Sequence, residues 1–133
     1  MVVHPIGWVE STLAELDEAP RQGDEGAPDA WLVLKPAVSD GLRGLEAGTD
    51  VLVLTWLDRA KRDVLSVHPR GEVHRPMTGV FSTRSPDRPN PIGLHRVTIL
   101  DVEGNRLHVG NLEAVDQTPV LDVKPVLGTM DER

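Results

Sequence analysis

The stretch richest in chemistry is TGVFSTRSPDRPNPIGLHRV, from Thr78 to Val97. Its centre, RSPDRPNPIG, sets two guanidiniums, Arg84 and Arg88, and one carboxamide, Asn90, among prolines at positions 86, 89 and 91. A guanidinium offers a planar fork of donors that suits a carboxylate or a phosphate, and a carboxamide both donates and accepts. Each proline fixes its own φ, removes a donor and pushes the preceding residue towards extended backbone. The spacing therefore predicts a stiff, irregular loop with little freedom left to lose when a ligand binds. The plainer alternative is a proline-rich connector with two solvated arginines.

Other chemistries lack their residues. There is no cysteine, which excludes disulfides, thiolate metal sites and a cysteine nucleophile. There is no tyrosine to act as acid or base. No G-x-G-x-x-G follows a strand-like run, and there is no phosphate-binding loop, no G-x-S-x-G elbow and no H-E-x-x-H. His4, His68, His74, His95 and His108 show no metal-ligand spacing, so no metal is expected.

Composition places these groups in an ordinary soluble protein. The 133 residues are 39% hydrophobic and 26% charged, enough for one domain with its own core, and 1–133 reads as a single unit. No apolar run approaches the roughly 20 residues that a membrane helix needs, and MVVHPIGWVE does not resemble a signal peptide. A cytoplasmic location without membrane association is the expectation. The net charge of −7 disfavours indiscriminate binding to nucleic acid and suits a cationic small ligand. Trp8, Trp31, Trp56 and Phe81 are the whole aromatic complement, which limits base stacking.

The elements that must hold the loop are short strands. Val2 to Glu10, broken by Pro5 and Gly7, reads as an edge or bulged strand, and Leu13 to Asp17 as a helical turn. Asp17 to Asp29 is an acidic, Gly- and Pro-rich loop with a small basic and amide island at Pro20-Arg21-Gln22. Trp31 to Lys35 is a strand, and Gly41 to Glu46 a helical turn. Val51 to Leu57 is the strongest strand and reads as buried on both faces. Val64 to Pro69, and Val80 to Thr83 at the opening of the central stretch, read as short strands. Leu94 to Val102 and Arg106 to Leu112 flank Gly104-Asn105, a hairpin signal. Asp116 to Val126 is extended, and the last residues read as a frayed tail. Six or more strands with little helix predict an all-β or β-rich fold, a small β-barrel.

GVFSTRSPDRPNPIGLHRV followed by AVDQTPVLDVKPV resembles the signature of the TsaA-like, or TrmO, family, and IGWVES and PRQ match it in the same order. The resemblance covers essentially the whole chain. It implies a small β-barrel that binds S-adenosyl-L-methionine, works as a homodimer and methylates the exocyclic nitrogen of threonylcarbamoyl-adenosine beside the tRNA anticodon. Bacterial members carry a further C-terminal domain. Cofactor contacts implied by the family pattern fall on Pro20, Arg21 and Gln22, on Asp58 and Arg59, on Arg84 and Leu94, and on Gly110, Asn111, Leu112 and Glu113. His95 and Arg96 read as strand side chains. An acceptor nitrogen must lose a proton, so Asp116 or Asp122 is a candidate base, with Lys124 as orienter. Structural roles in shaping the PVLDVKP segment compete with both.

The chain departs from the family pattern at named places. The usual histidine after the strong strand is Asp58, and L-D before the D-G-T-P-V motif is Leu112-Glu113. The glycine of that motif is Gln117, where a positive φ or a close approach is the usual reason for glycine. The tyrosine after K-P is Val126. Two alternatives therefore stand beside tRNA methylation: a methyltransferase acting on a small molecule, and a non-catalytic S-adenosylmethionine-binding domain.

Overall fold

β-Branched and leucine-rich runs cut by Gly and Pro give short strands, and these strands bury one face each by wrapping around a common interior. In the computed structural model, which describes residues 1–14 and 26–128, eight strands form: β1 (Gly7–Glu10), β2 (Ala30–Leu34), β3 (Asp50–Trp56), β4 (Ser66–Val67), β5 (Thr78–Gly79), β6 (Ile92–Glu103), β7 (Arg106–Val109) and β8 (Pro119–Pro125). Six of them close a barrel in the order β1-β2-β7-β6-β3-β8, while β4 and β5 pair apart as a small ribbon. Every pairing is antiparallel.

β6 serves two neighbours. Its first half pairs β3, from Trp56↔Ile92 to Asp50↔Thr98, and its second half pairs β7 as far as Glu103↔Arg106 around Gly104-Asn105. Gly104 takes φ 60°, which a side chain would resist. The seam between β1 and β8 is short, with Gly7 opposite Val120 and Trp8 opposite Pro119. A Cβ on Gly7 would run into the β2 backbone at Val33 and Leu34, so the seam closes only with glycine there.

A six-stranded barrel has a narrow interior, which small aliphatic side chains fill. Val9, Leu32, Val53, Ile99, Leu107, Val109 and Val120 are completely buried. Leu42 closes one end, and Leu112 and Ala114 extend the same core from the connection after β7. Each such side chain contributes about 1.5–3 kcal/mol on burial.

Several expectations change. β1 is paired on both sides, so it is not an edge strand. β3 alternates: Val51, Val53 and Thr55 are buried, whereas Leu52, Leu54 and Trp56 on the outer wall are half-buried. The helical turn after β2 runs from Pro36 to Leu42, starting at the proline that ends the strand. The run at Val80 is a single 3-10 turn, Val80–Ser82, with β5 before it. Leu13 and Ala14 are not helical; the rest of that expected turn and the last five residues lie outside the described residues.

Candidate functional site

An antiparallel barrel sends alternate connections to alternate ends, and here the chemistry collects at one of them. β1, β3 and β7 finish, and β2, β6 and β8 begin, at the same end. Asp58 and Arg59 follow β3, Arg84 precedes β6, Gly110 to Glu113 follow β7, and Asp116 precedes β8. Pro20, Arg21 and Gln22 lie outside the described residues, between β1 and β2.

Hydrogen bonds stitch these loops together. Arg59 donates to the Ala14 carbonyl at 2.7 Å, tying the end of β3 to the segment after β1. The Asn111 amide donates to Asp29 Oδ1 at 3.1 Å, and the Leu112 amide to the Pro28 carbonyl at 3.0 Å. Asn111 takes φ 53°, a left-handed conformation that asparagine tolerates.

The proline loop is rigid for a reason the sequence did not display. Arg88 turns back on its own loop and donates to the carbonyls of Val80, Thr83 and Ser85 at 2.5, 3.0 and 3.0 Å. Arg62, from the connection after β3, donates to the Pro89 carbonyl and to Asn90 Oδ1 at 2.8 and 2.9 Å while stacking on Trp56. The Lys61 amide donates to Asp87 Oδ1 at 2.8 Å. Arg88 and Asn90 are thus spent on the scaffold. Arg84 is exposed and makes no hydrogen bond or ion pair among the described residues.

The carboxylates differ in the same way. Asp116 Oδ1 accepts the Ser11 amide at 3.0 Å, and the Asp116 amide donates to the Leu13 carbonyl, so this residue anchors the segment that follows β1. Gln117 takes φ 70° and donates its amide to Val9 at 2.7 Å. Asp122 and Lys124 form a 3.4 Å ion pair on the outer wall. Asp122 lies in one row with Leu54 and Leu94 across β8, β3 and β6. Leu94 therefore faces outward, away from the interior side of β6 that Glu113 meets.

Glu113 is held from inside. His95 Nδ1 lies 2.5 Å from Glu113 Oε1, and His95 Nε2 lies 2.7 Å from Thr55 Oγ1. Thr55 is 0% and His95 4% exposed, and the Glu113 side chain 16%. Sequence reasoning took His95 as an ordinary strand residue. The signal available was its phase: Gly93, His95, Val97 and Ile99 alternate together, so His95 points inward with the core and needs a buried partner.

Away from this end, Asp50 accepts from the Thr98 hydroxyl at 2.6 Å and from Arg96 at 3.1 Å. These two hydrogen bonds, with the Arg96 charge, hold its carboxyl below the ordinary value of 3.8 against a small opposing effect of burial. Among the described residues, no cluster of three His, Asp or Glu is arranged to hold a metal ion.

Residues 8–132 match the family model described as the tRNA-methyltransferase O N-terminal domain. The chain belongs to the TrmO family. It is 46% identical over 124 residues to an S-adenosyl-L-methionine-binding protein of Archaeoglobus fulgidus, covering 93% of this chain and 88% of that protein. It is 41% identical over 129 residues to a probable S-adenosyl-L-methionine-binding protein of Methanothermobacter thermautotrophicus, covering 97% and 92%. The crystal structure of TrmO from Pseudomonas aeruginosa matches the whole chain with a TM-score of 0.77 at 31% identity. A second TrmO crystal structure matches at 0.78 and 33%. This chain spans 60% and 62% of those two structures, so it corresponds to part of each.

Proposed function

We propose that this TrmO-family chain is an S-adenosylmethionine-dependent N-methyltransferase whose acceptor is the threonylcarbamoyl-adenosine of tRNA. The observation that carries the reading is the gathering of family-pattern loops at one barrel end, beside a proline loop whose Arg84 guanidinium has no partner among the described residues. The groups there fit the cofactor's chemistry. Arg84 suits its carboxylate, while Asp58 and Glu113 suit its ammonium and sulfonium charges. Arg59 and the Gly110 to Leu112 backbone complete the set among the described residues, the family resemblance alone adds Pro20 to Gln22, and Leu94 is reached only over the lip onto the outer wall.

When bound, S-adenosylmethionine supplies an electrophilic methyl group. The chain's own residues contribute position and proton handling. Arg88 and Arg62 fix the proline loop so that Arg84 is presented without a search. Asp122, on the Leu94 row, is the proposed proton acceptor and Lys124 its orienter, with Asp116 the second candidate. The outer wall, with half-buried Leu52, Leu54 and Trp56 beside exposed Ile92 and Leu94, supports the homodimer that the family resemblance implies.

Charge favours a polyanionic acceptor. Residues 58–96 carry eight Lys or Arg against four Asp or Glu, a net of +4; the rest carry six against seventeen, a net of −11. The overall acidity thus conceals a net positive stretch of chain around the proline loop. The relatives named only as binding proteins favour the second reading, a non-catalytic cofactor-binding domain. Transfer of labelled methyl to total tRNA lacking this methylation decides between them. Incorporation at threonylcarbamoyl-adenosine is expected. Tight cofactor binding with no incorporation would move the assignment to a small-molecule acceptor or to the binding domain.

A further inference from the structure

We propose that Thr55 and His95 are positioning residues that hold Glu113, presenting one free carboxylate oxygen to the cationic part of the bound cofactor. The inference rests on the cofactor reading above and adds two residues to it that no loop motif marks.

The proton count in the trio has one solution. An ionised carboxylate only accepts, so His95 Nδ1 must donate to Glu113 Oε1. Nε2 then accepts from the Thr55 hydroxyl. With a protonated ring, Nε2 would donate instead, and the fully buried Thr55 hydroxyl hydrogen would have no acceptor among its hydrogen bonds. In this arrangement the ring links the Thr55 hydroxyl to the Glu113 carboxylate, with every donor of the trio matched to an acceptor.

The arrangement is built into the barrel. Thr55 stands directly opposite Gly93, and a Cβ on Gly93 would collide with Thr55 Oγ1 and come within 2.7 Å of His95 Nε2. Glycine clears the space in which ring and hydroxyl meet. The backbone at Glu113 is in turn held, because Leu112, Ala114 and Val115 on either side are buried and the Leu112 amide is tied to Pro28.

A buried polar trio is weak evidence of a purely stabilising role. The surrounding core is aliphatic, and replacing buried polar groups by apolar ones of similar volume is often neutral or favourable. What the trio does produce is a fixed acceptor at the loop end. Glu113 Oε1 is occupied by His95, whereas Oε2 makes no hydrogen bond among the described residues. An acceptor held in place before binding loses little entropy when a cation arrives.

The test is calorimetric titration of the full chain with S-adenosylmethionine, well below every variant's Tm. Thr55→Val keeps the shape and removes the hydroxyl. It is expected to weaken binding about 3–10-fold, the effect of one hydrogen bond, and Thr55→Ser to restore it to within about twofold. Glu113→Gln is expected to weaken binding more than tenfold, as loss of a charged partner does. Thr118→Val is the control, since Thr118 is a buried hydroxyl bonded to the Val115 carbonyl at 2.7 Å. It should lower Tm comparably and leave affinity unchanged. Wild-type binding with unaltered affinity in Thr55→Val, or equal losses in Thr55→Val and Thr118→Val, overturns the positioning role and leaves the cofactor reading intact. Absence of binding by the wild type overturns the cofactor reading and this proposal with it.

Discussion

Gln117 is a side chain where the backbone calls for glycine, and replacing it should stabilise the protein. Its φ of 70° lies in the left-handed region, which costs an L-residue about 1–2 kcal/mol. The side chain recovers little: it is exposed, and its amide reaches the Asp116 carboxylate only at 3.4 and 3.5 Å. The backbone bond from its amide to Val9 survives substitution by glycine. Against the relief stands the extra freedom of glycine in the unfolded chain, about 0.4–1 kcal/mol. Gln117→Gly is therefore expected to gain about 0.5–1 kcal/mol, a rise in Tm of about 2–4 °C for a chain of this length. Gln117→Val should lose stability, because a β-branched residue resists positive φ most strongly. Differential scanning calorimetry of the three proteins reads both effects. A lower Tm for the glycine variant, or a valine variant as stable as wild type, would refute the assignment of strain to this residue.

Asp116→Asn keeps an acceptor for the Ser11 amide and removes the basic carboxylate, whereas Asp116→Ala leaves that amide unpartnered. The alanine variant should lose about 1–3 kcal/mol in urea unfolding, and the asparagine variant much less. Loss of turnover in a stable Asp116→Asn protein would make this residue the base in place of Asp122. Arg84→Ala should abolish measurable cofactor binding in titration with Tm moved by no more than about 1 °C, the behaviour of an exposed side chain without partners; near-normal affinity would sink its placement. Arg88→Ala should behave oppositely, lowering stability by about 2–3 kcal/mol through three lost charge-assisted bonds. Asp50, whose folded pKa lies below its ordinary value, contributes stability that is fully present above about pH 4 and is lost as pH falls through the lowered value. The stability gap between wild type and Asp50→Asn should close on acidification from about pH 5 to pH 2; a gap independent of pH would refute the linkage.

Strand order and loop chemistry were legible to different depths. The alternation from Leu94, the turn at Gly104-Asn105 and the apolar run at Val51 announced β6, β7 and β3, because local pattern and tertiary placement agree there. Val80 to Thr83 failed, because Arg88 recruits two carbonyls of that run, and the Ser85 carbonyl just beyond it, where the chain winds into a 3-10 turn. Local propensity carries no record of such a clasp. Arg84 and Arg88 look equivalent on paper, and only the fold separates the presented guanidinium from the structural one. Glycine at 93 and threonine at 55 gave no sign of chemistry, since their meaning depends on facing each other across β6 and β3. At Gln117 the glycine of the family motif pointed to either a positive φ or a close approach, and the backbone takes the positive φ.

Closure of the barrel also governs how this molecule meets others. Each of the six barrel strands has two neighbours, which leaves less open edge than a flat sheet does, and the rows laddered on one side only include 92–97 of β6 and 121–125 of β8, both along β3. The β4–β5 ribbon has free edges, but with two residues in each strand it is too short to template an incoming strand. Self-association that leaves the barrel ladders untouched is written in side chains, on the outer wall or along the excursion between β3 and β6. Such contacts can be strengthened, weakened or redirected by single surface substitutions without unpicking a backbone ladder, so assembly can change in this protein while the barrel stays the same.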